Sequence, residues 1–140
     1  MKPSLLAMVF LVFCGLIGCS KSEMIEPGSL VTKWVLVKDS SGYIVGAGGW
    51  DTTSYIGVAG DYFDFRNDGK CYTKEGNVYD TLAYQLAGSN KVTIAKFGPN
   101  INGENSPSTI DPFTEHRATI TSPDIITPGG TSFRVVNLKK

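Results

Sequence analysis

From residue 30 onward the apolar positions come in short runs that alternate with polar ones, the period of a strand with one buried face. Residues 30–38, LVTKWVLVK, are rich in β-branched and aromatic side chains, with Trp34 and Leu36 on one face and Val31, Val35 and Val37 on the other. Both faces are partly apolar, which predicts a central or well-covered strand. Asp39-Ser40-Ser41-Gly42 reads as a turn, and the glycine-rich stretch 42–60 as a long connection with short irregular strands around 43–45 and 55–58. The clearest hairpin follows. In residues 61–66, Phe63 and Phe65 share one face, with Asp64 and Arg66 on the other. Asn67-Asp68-Gly69 supplies residues that tolerate the positive φ of a tight turn, and residues 70–74 return. Residues 81–86 place Leu82, Tyr84 and Leu86 together, and residues 91–95 point Val92 and Ile94 inward. Residues 97–113 contain Gly98, Pro99, Gly103, Pro107 and Pro112 and read as a long loop. Strands resume over 116–121, 125–127 and 131–138. No window keeps a helical period. The pattern predicts an all-β domain over residues 30–140, a small antiparallel up-and-down meander closing into a barrel, with a two-sheet β-sandwich as the alternative.

The first 29 residues follow another logic. Lys2 precedes an uninterrupted apolar run, residues 5–13, that continues through Cys14-Gly15-Leu16-Ile17-Gly18 to Cys19. A charged start, a short apolar stretch and small residues form a secretory signal, and the run is shorter than the ~20 residues that span a bilayer. Leu16-Ile17-Gly18-Cys19 resembles the lipobox of bacterial lipoproteins. The resemblance implies a signal peptide over 1–18, a diacylglycerol on the Cys19 sulfur, and Cys19 as the first mature residue, followed by a tether to residue 29. Several acyl chains, palmitate among them, make such anchoring stable where one chain is marginal. It places the protein in the bacterial cell envelope, on the outer membrane.

Composition narrows the rest. Lysine and arginine total 13 and aspartate and glutamate 13, so the net charge is zero. No basic run exceeds Lys139-Lys140, and no nucleic-acid partner is expected. Of the three cysteines, Cys14 leaves with the signal and Cys19 takes the lipid. Cys71 is then alone, reads as a buried thiol in a strand, and leaves stability to the core.

The segments 30–36, 62–70, 84–94 and 133–140 together resemble the small lipocalin-like domains found in many bacterial lipoproteins. They match an opening strand with tryptophan, an aromatic strand before an Asp-Gly turn, a strand pair, and a closing strand. Thr32 stands where that pattern has a glycine before the tryptophan. The resemblance implies a barrel. It also implies that Trp34 packs across the closed end under an arginine of the last strand, Arg134.

The inward set Phe63, Phe65, Tyr84, Leu86, Val92 and Ile94 is the candidate lining for a small apolar or amphipathic ligand, since a small eight-stranded barrel either holds one ligand or fills with its own side chains. If it fills, the chain is a non-enzymatic interaction or inhibitor module of the envelope, with loops 42–60 or 97–113 facing an unidentified protein partner. His116 is the only histidine and has no metal-ligand spacing. Asp61, Asp64 and Asp68 read as turn and surface residues. No nucleophile, phosphate-loop or zinc motif is present, so neither enzymatic activity nor a cofactor is expected.

Overall fold

Residues 33–44 form one strand, β1 (Lys33–Ile44), which runs straight through the tetrapeptide 39–42 expected to turn. The cause lies on its two edges. The C-terminal strand pairs along one side, and β2 (Asp51–Ile56), inside the stretch read as a connection, pairs along the other. Two ladders hold Ser40, Ser41 and Gly42 extended against their local preference. The ladder to the C-terminal strand slips between Leu36 and Lys38. That bulge shifts the inward phase by one residue, so Asp39 is buried along with Trp34 and Leu36.

The expected hairpin forms as β3 (Tyr62–Phe65) and β4 (Lys70–Glu75), with Phe65 opposite Cys71 and Gly69 at φ 75° in the turn. β5 (Val78–Leu86) and β6 (Lys91–Ile94) continue the meander, with Tyr84 opposite Ile94. Residues 97–113 hold more order than expected. β7 (Asn100–Ile101) and β8 (Glu104–Asn105) pair with each other, and β9 (Ser108–Phe113) is a wall strand with Ser108 and Ile110 buried. The prolines hid it. Asp111 and Pro112 fall in a register shift opposite the next strand, β10 (Arg117–Thr121), where Pro112 owes no ladder N–H. β11 (Ile125–Thr127) and β12 (Gly130–Lys139) end the chain.

In this computed structural model the described residues are 30–140 without 45, 47, 98, 99, 102 and 103. Cys19, the signal segment and the tether lie outside them. β1-β3-β4-β5-β6-β9-β10-β12 follow one another and β12 pairs back to β1, a closed eight-stranded antiparallel barrel. The fold is a barrel and not the alternative sandwich. Beyond the closed part, β2 replaces β3 on the edge of β1 and β11 replaces β10 on the edge of β12, leaving a four-stranded flange, β2-β1-β12-β11. No α-helix occurs among the described residues, and none is long and apolar enough to cross a membrane.

Trp34 is fully buried at one end. Its indole N–H donates to the Leu30 carbonyl at 3.0 Å, and its ring lies 6.5 Å from Phe113. The cation over it is the Lys140 ammonium, 4.9 Å from the ring. Arg134 is not there. It pairs with Ser41, seven residues along β1 from Trp34, or roughly 20 Å at strand rise. The resemblance-based pairing of Trp34 with Arg134 is therefore corrected: the β1–β12 register carries Arg134 to the opposite end.

Candidate functional site

The six residues expected to line a ligand cavity form the packed centre of the barrel. Phe63, Phe65, Val92 and Ile94 are buried, and Tyr84 and Leu86 pack half-buried against them. Phe97, unnoticed in the sequence, closes the set from above. Its ring stands edge-on to Phe63 with centroids 6.4 Å apart, and Phe65 meets Tyr84 edge-on at 5.1 Å. These are favourable aromatic geometries. None of the six lines either of the two clefts described below.

Where the aromatic packing ends, a charged mouth begins. Arg134 lies with its guanidinium carbon 4.4 Å above the Phe97 ring. Its Nε donates to both oxygens of Asp39 at 3.1 and 3.0 Å, and its Nη2 donates to Asp39 and, at 3.1 Å, to Glu75 Oε1. Three strands supply this triad: β1 gives Asp39 through its bulge, β4 gives Glu75, and β12 gives Arg134. Burial pushes the Glu75 carboxyl above its ordinary pKa, the Asp39 charge pushes the same way, and Arg134 opposes both. Burial alone would weaken the protonation of Arg134, but the hydrogen bond to Asp39 and the charges of Asp39 and Glu75 outweigh it.

Asp61 braces the mouth from beneath. It is buried and accepts the Tyr55 hydroxyl at 2.6 Å, the Val58 amide at 2.9 Å and the Gly76 amide at 2.9 Å. It thus joins β2, the 57–61 connection and the β4–β5 turn. The Tyr55 hydrogen bond, followed by the Val58 amide, holds its pKa below the usual carboxylate range. Above this brace opens a cleft of about 490 Å³, lined by Asp39, Ser41, Thr53, Ser54, Tyr55, Glu75 and Arg134. Four hydroxyls, two carboxylates and a guanidinium give it donors and acceptors for a polar ligand, in a setting with no nucleophile–base pair.

A second cleft of about 380 Å³ lies against β3, β4 and β5, lined by Tyr62, Tyr72, Thr73, Tyr79, Asp80 and Thr81. Cys71 is buried in β4 as expected, and burial pushes its thiol pKa far up, which disfavours the reactive thiolate. His116 is exposed beside Glu115 at 4.0 Å, and no cluster that could hold a metal occurs among the described residues. No family model matches the chain, and no curated protein or solved structure matches it.

Of the mouth residues, only Arg134 was singled out from the sequence, and for another partner. Glu75 carried a usable signal, because it continues the inward phase of Cys71 and Thr73 along β4. Asp39 carried none, since the bulge that turns it inward leaves no mark in the residue pattern.

Proposed function

We propose that this chain is a lipid-anchored, non-enzymatic lipoprotein of the bacterial outer membrane, whose barrel is a solid scaffold and whose polar mouth is the binding surface. The observation that carries the reading is the contrast between the barrel's centre and its mouth. Phe63, Phe65 and Phe97 fill the centre, whereas a cleft of about 490 Å³ lies over the Asp39–Arg134–Glu75 triad. Of the two expectations, this favours the solid-core interaction module over an internal container for an apolar molecule. The mouth suits a polar ligand or the polar tip of a protein partner, because an apolar one would strip water from its charged and hydroxyl groups without replacing it. Leu30, the first described residue, lies at the Trp34 end, so the chain enters the barrel at the end opposite the mouth.

Two measurements test this. Cys19→Ala is expected to abolish palmitate labelling and leave an uncleaved precursor; normal processing of that variant would remove the anchor from the proposal. Native mass spectrometry of the intact chain, released from detergent, is expected to show no co-purifying apolar molecule. A stoichiometric adduct lost on organic extraction would return the function to the barrel interior.

A further inference from the structure

Closure removes the edges of the barrel itself, so among the described residues the main sheet ends only on its flange, at β2 and at β11. The two ends are built differently. β11 has three residues and lies between Pro123 and Pro128, a short, proline-flanked form that discourages a further strand. β2 has six residues, all exposed but Tyr55, with no lysine or proline and its single charge at the first position, Asp51. It pairs with β1 alone. Its other side is an open pairing edge, uncharged over residues 52–56.

That edge runs beside the mouth. The Ser41 and Thr53 hydroxyls lie 2.9 Å apart and Tyr55 stands opposite Asp39, so Thr53 and Tyr55 share a face of the flange with Ser41 and Asp39. All four line the mouth cleft. Thr52, Ser54 and the exposed Ile56 alternate with them along β2. A strand added to β2 would alternate in the same way and place every second side chain beside Thr53 and Tyr55. Asp39 is two strand spacings from such a strand, ~10 Å, which a lysine or arginine stem and the Asp39 side chain cover between them.

Charge selects that side chain. Asp39 and Glu75 share one guanidinium, whose Nε and Nη2 already donate to them. Asp61 adds a third carboxylate beneath, and Lys74 acts on that one. An arriving carboxylate would face Asp39 and Glu75 as a like charge, whereas an ammonium or guanidinium brings a second cation to two acids that share one.

We propose that β2 takes an extended segment of a partner protein as a further strand, with a lysine or arginine of that segment reaching over Thr53 and Tyr55 to Asp39 and Glu75. The inference rests on the reading of the mouth as a binding surface and names what it binds. Backbone hydrogen bonds along β2 give affinity, and the basic side chain gives selectivity. A second copy of this chain is the poorer occupant. Antiparallel self-pairing of β2 turns on a twofold axis normal to the sheet and points the two Leu30 ends in opposite directions. That opposes tethering both chains to one membrane, as proposed above.

The test is fluorescence polarisation of the intact chain in detergent with three labelled, end-capped peptides. They are VTVKVTV, its glutamate counterpart VTVEVTV, and VTVKVTV with every backbone amide N-methylated. The wild type is expected to bind the first, to bind the second about tenfold more weakly, and not to bind the third. In Glu75→Gln, shown to be folded by its thermal melt, the preference for lysine over glutamate shrinks several-fold. No binding of VTVKVTV overturns the proposal. So does binding of the N-methylated peptide as tight as that of VTVKVTV, a lysine preference unchanged in Glu75→Gln, or a dimer of the chain that VTVKVTV fails to dissociate. Failure of the peptides with no apolar adduct in the native mass spectrum removes this inference and leaves the mouth reading; an adduct removes both.

Discussion

Glu75 and Asp39 share one guanidinium, and the fold treats the two acids unequally. Glu75 is held above its ordinary pKa by burial and by Asp39, so its ionised form costs more in the folded state than in the unfolded chain. A raised carboxyl contributes stability that is complete below its unfolded value, about 4.3, and is lost as pH rises through the folded one. Glu75→Gln removes that loss. In urea denaturation the variant is therefore expected to gain on the wild type between pH 4 and pH 7; a gain on acidification instead would mean that Arg134 dominates Glu75. Removing Arg134 acts the other way. Arg134→Ala leaves two carboxylates facing each other beneath the mouth, and loss of a partner from a buried charge pair costs about 3–5 kcal/mol. The Arg134 side chain is 29% exposed. Water reaches it, so the expected loss is about 2–3 kcal/mol, with a partial recovery in Arg134→Ala/Glu75→Gln that a double-mutant cycle would measure.

At the scale of elements, the flange and the barrel meet at one tight point. Where the chain crosses from β2 to β3, Gly57 donates to the Val37 carbonyl at 3.0 Å, and a Cβ on it would lie 2.1 Å from the Leu36 carbonyl oxygen. That atom belongs to the β1 backbone and cannot step aside without breaking a ladder. Gly57→Ala is expected to lose about 2 kcal/mol or more by urea midpoint, while Gly49→Ala, with nothing within 4 Å, stays within about 0.5 kcal/mol. Equal effects at the two sites would show that the crossing relaxes freely. The same crossing shows what the residue pattern could reveal. The β3–β4 hairpin and the inward Val92 and Ile94 were legible, because alternation and turn chemistry are local. β2, β9 and the passage of β1 through Asp39-Ser40-Ser41-Gly42 were not. Their backbones are held by partners far along the chain, and their glycines, serines and prolines point locally to loops. The mouth was hidden for the same reason, since its triad exists only once β12 closes on β1 in one register.

For the whole molecule, one ring separates a filled barrel from a hollow one. Phe97 is 1% exposed, stands edge-on to Phe63 and lies under the Arg134 guanidinium, so it is the floor of the mouth and the ceiling of the core together. Truncating such a side chain costs about 3–5 kcal/mol, from lost transfer energy and the cavity left behind. The cavity would be lined by Phe63 and its neighbours, beneath the Arg134 guanidinium. An apolar void of this kind stays dry and accepts small apolar molecules. Phe97→Ala is therefore expected to lower stability by that amount and to acquire binding of a small apolar probe such as benzene, followed as a ligand-induced rise in melting temperature. The wild type is expected to show no such rise, because Phe63, Phe65 and Phe97 pack its centre. If the wild-type melting temperature rises as much as that of the variant, the barrel centre already admits ligands, and the mouth becomes an entrance instead of a binding surface.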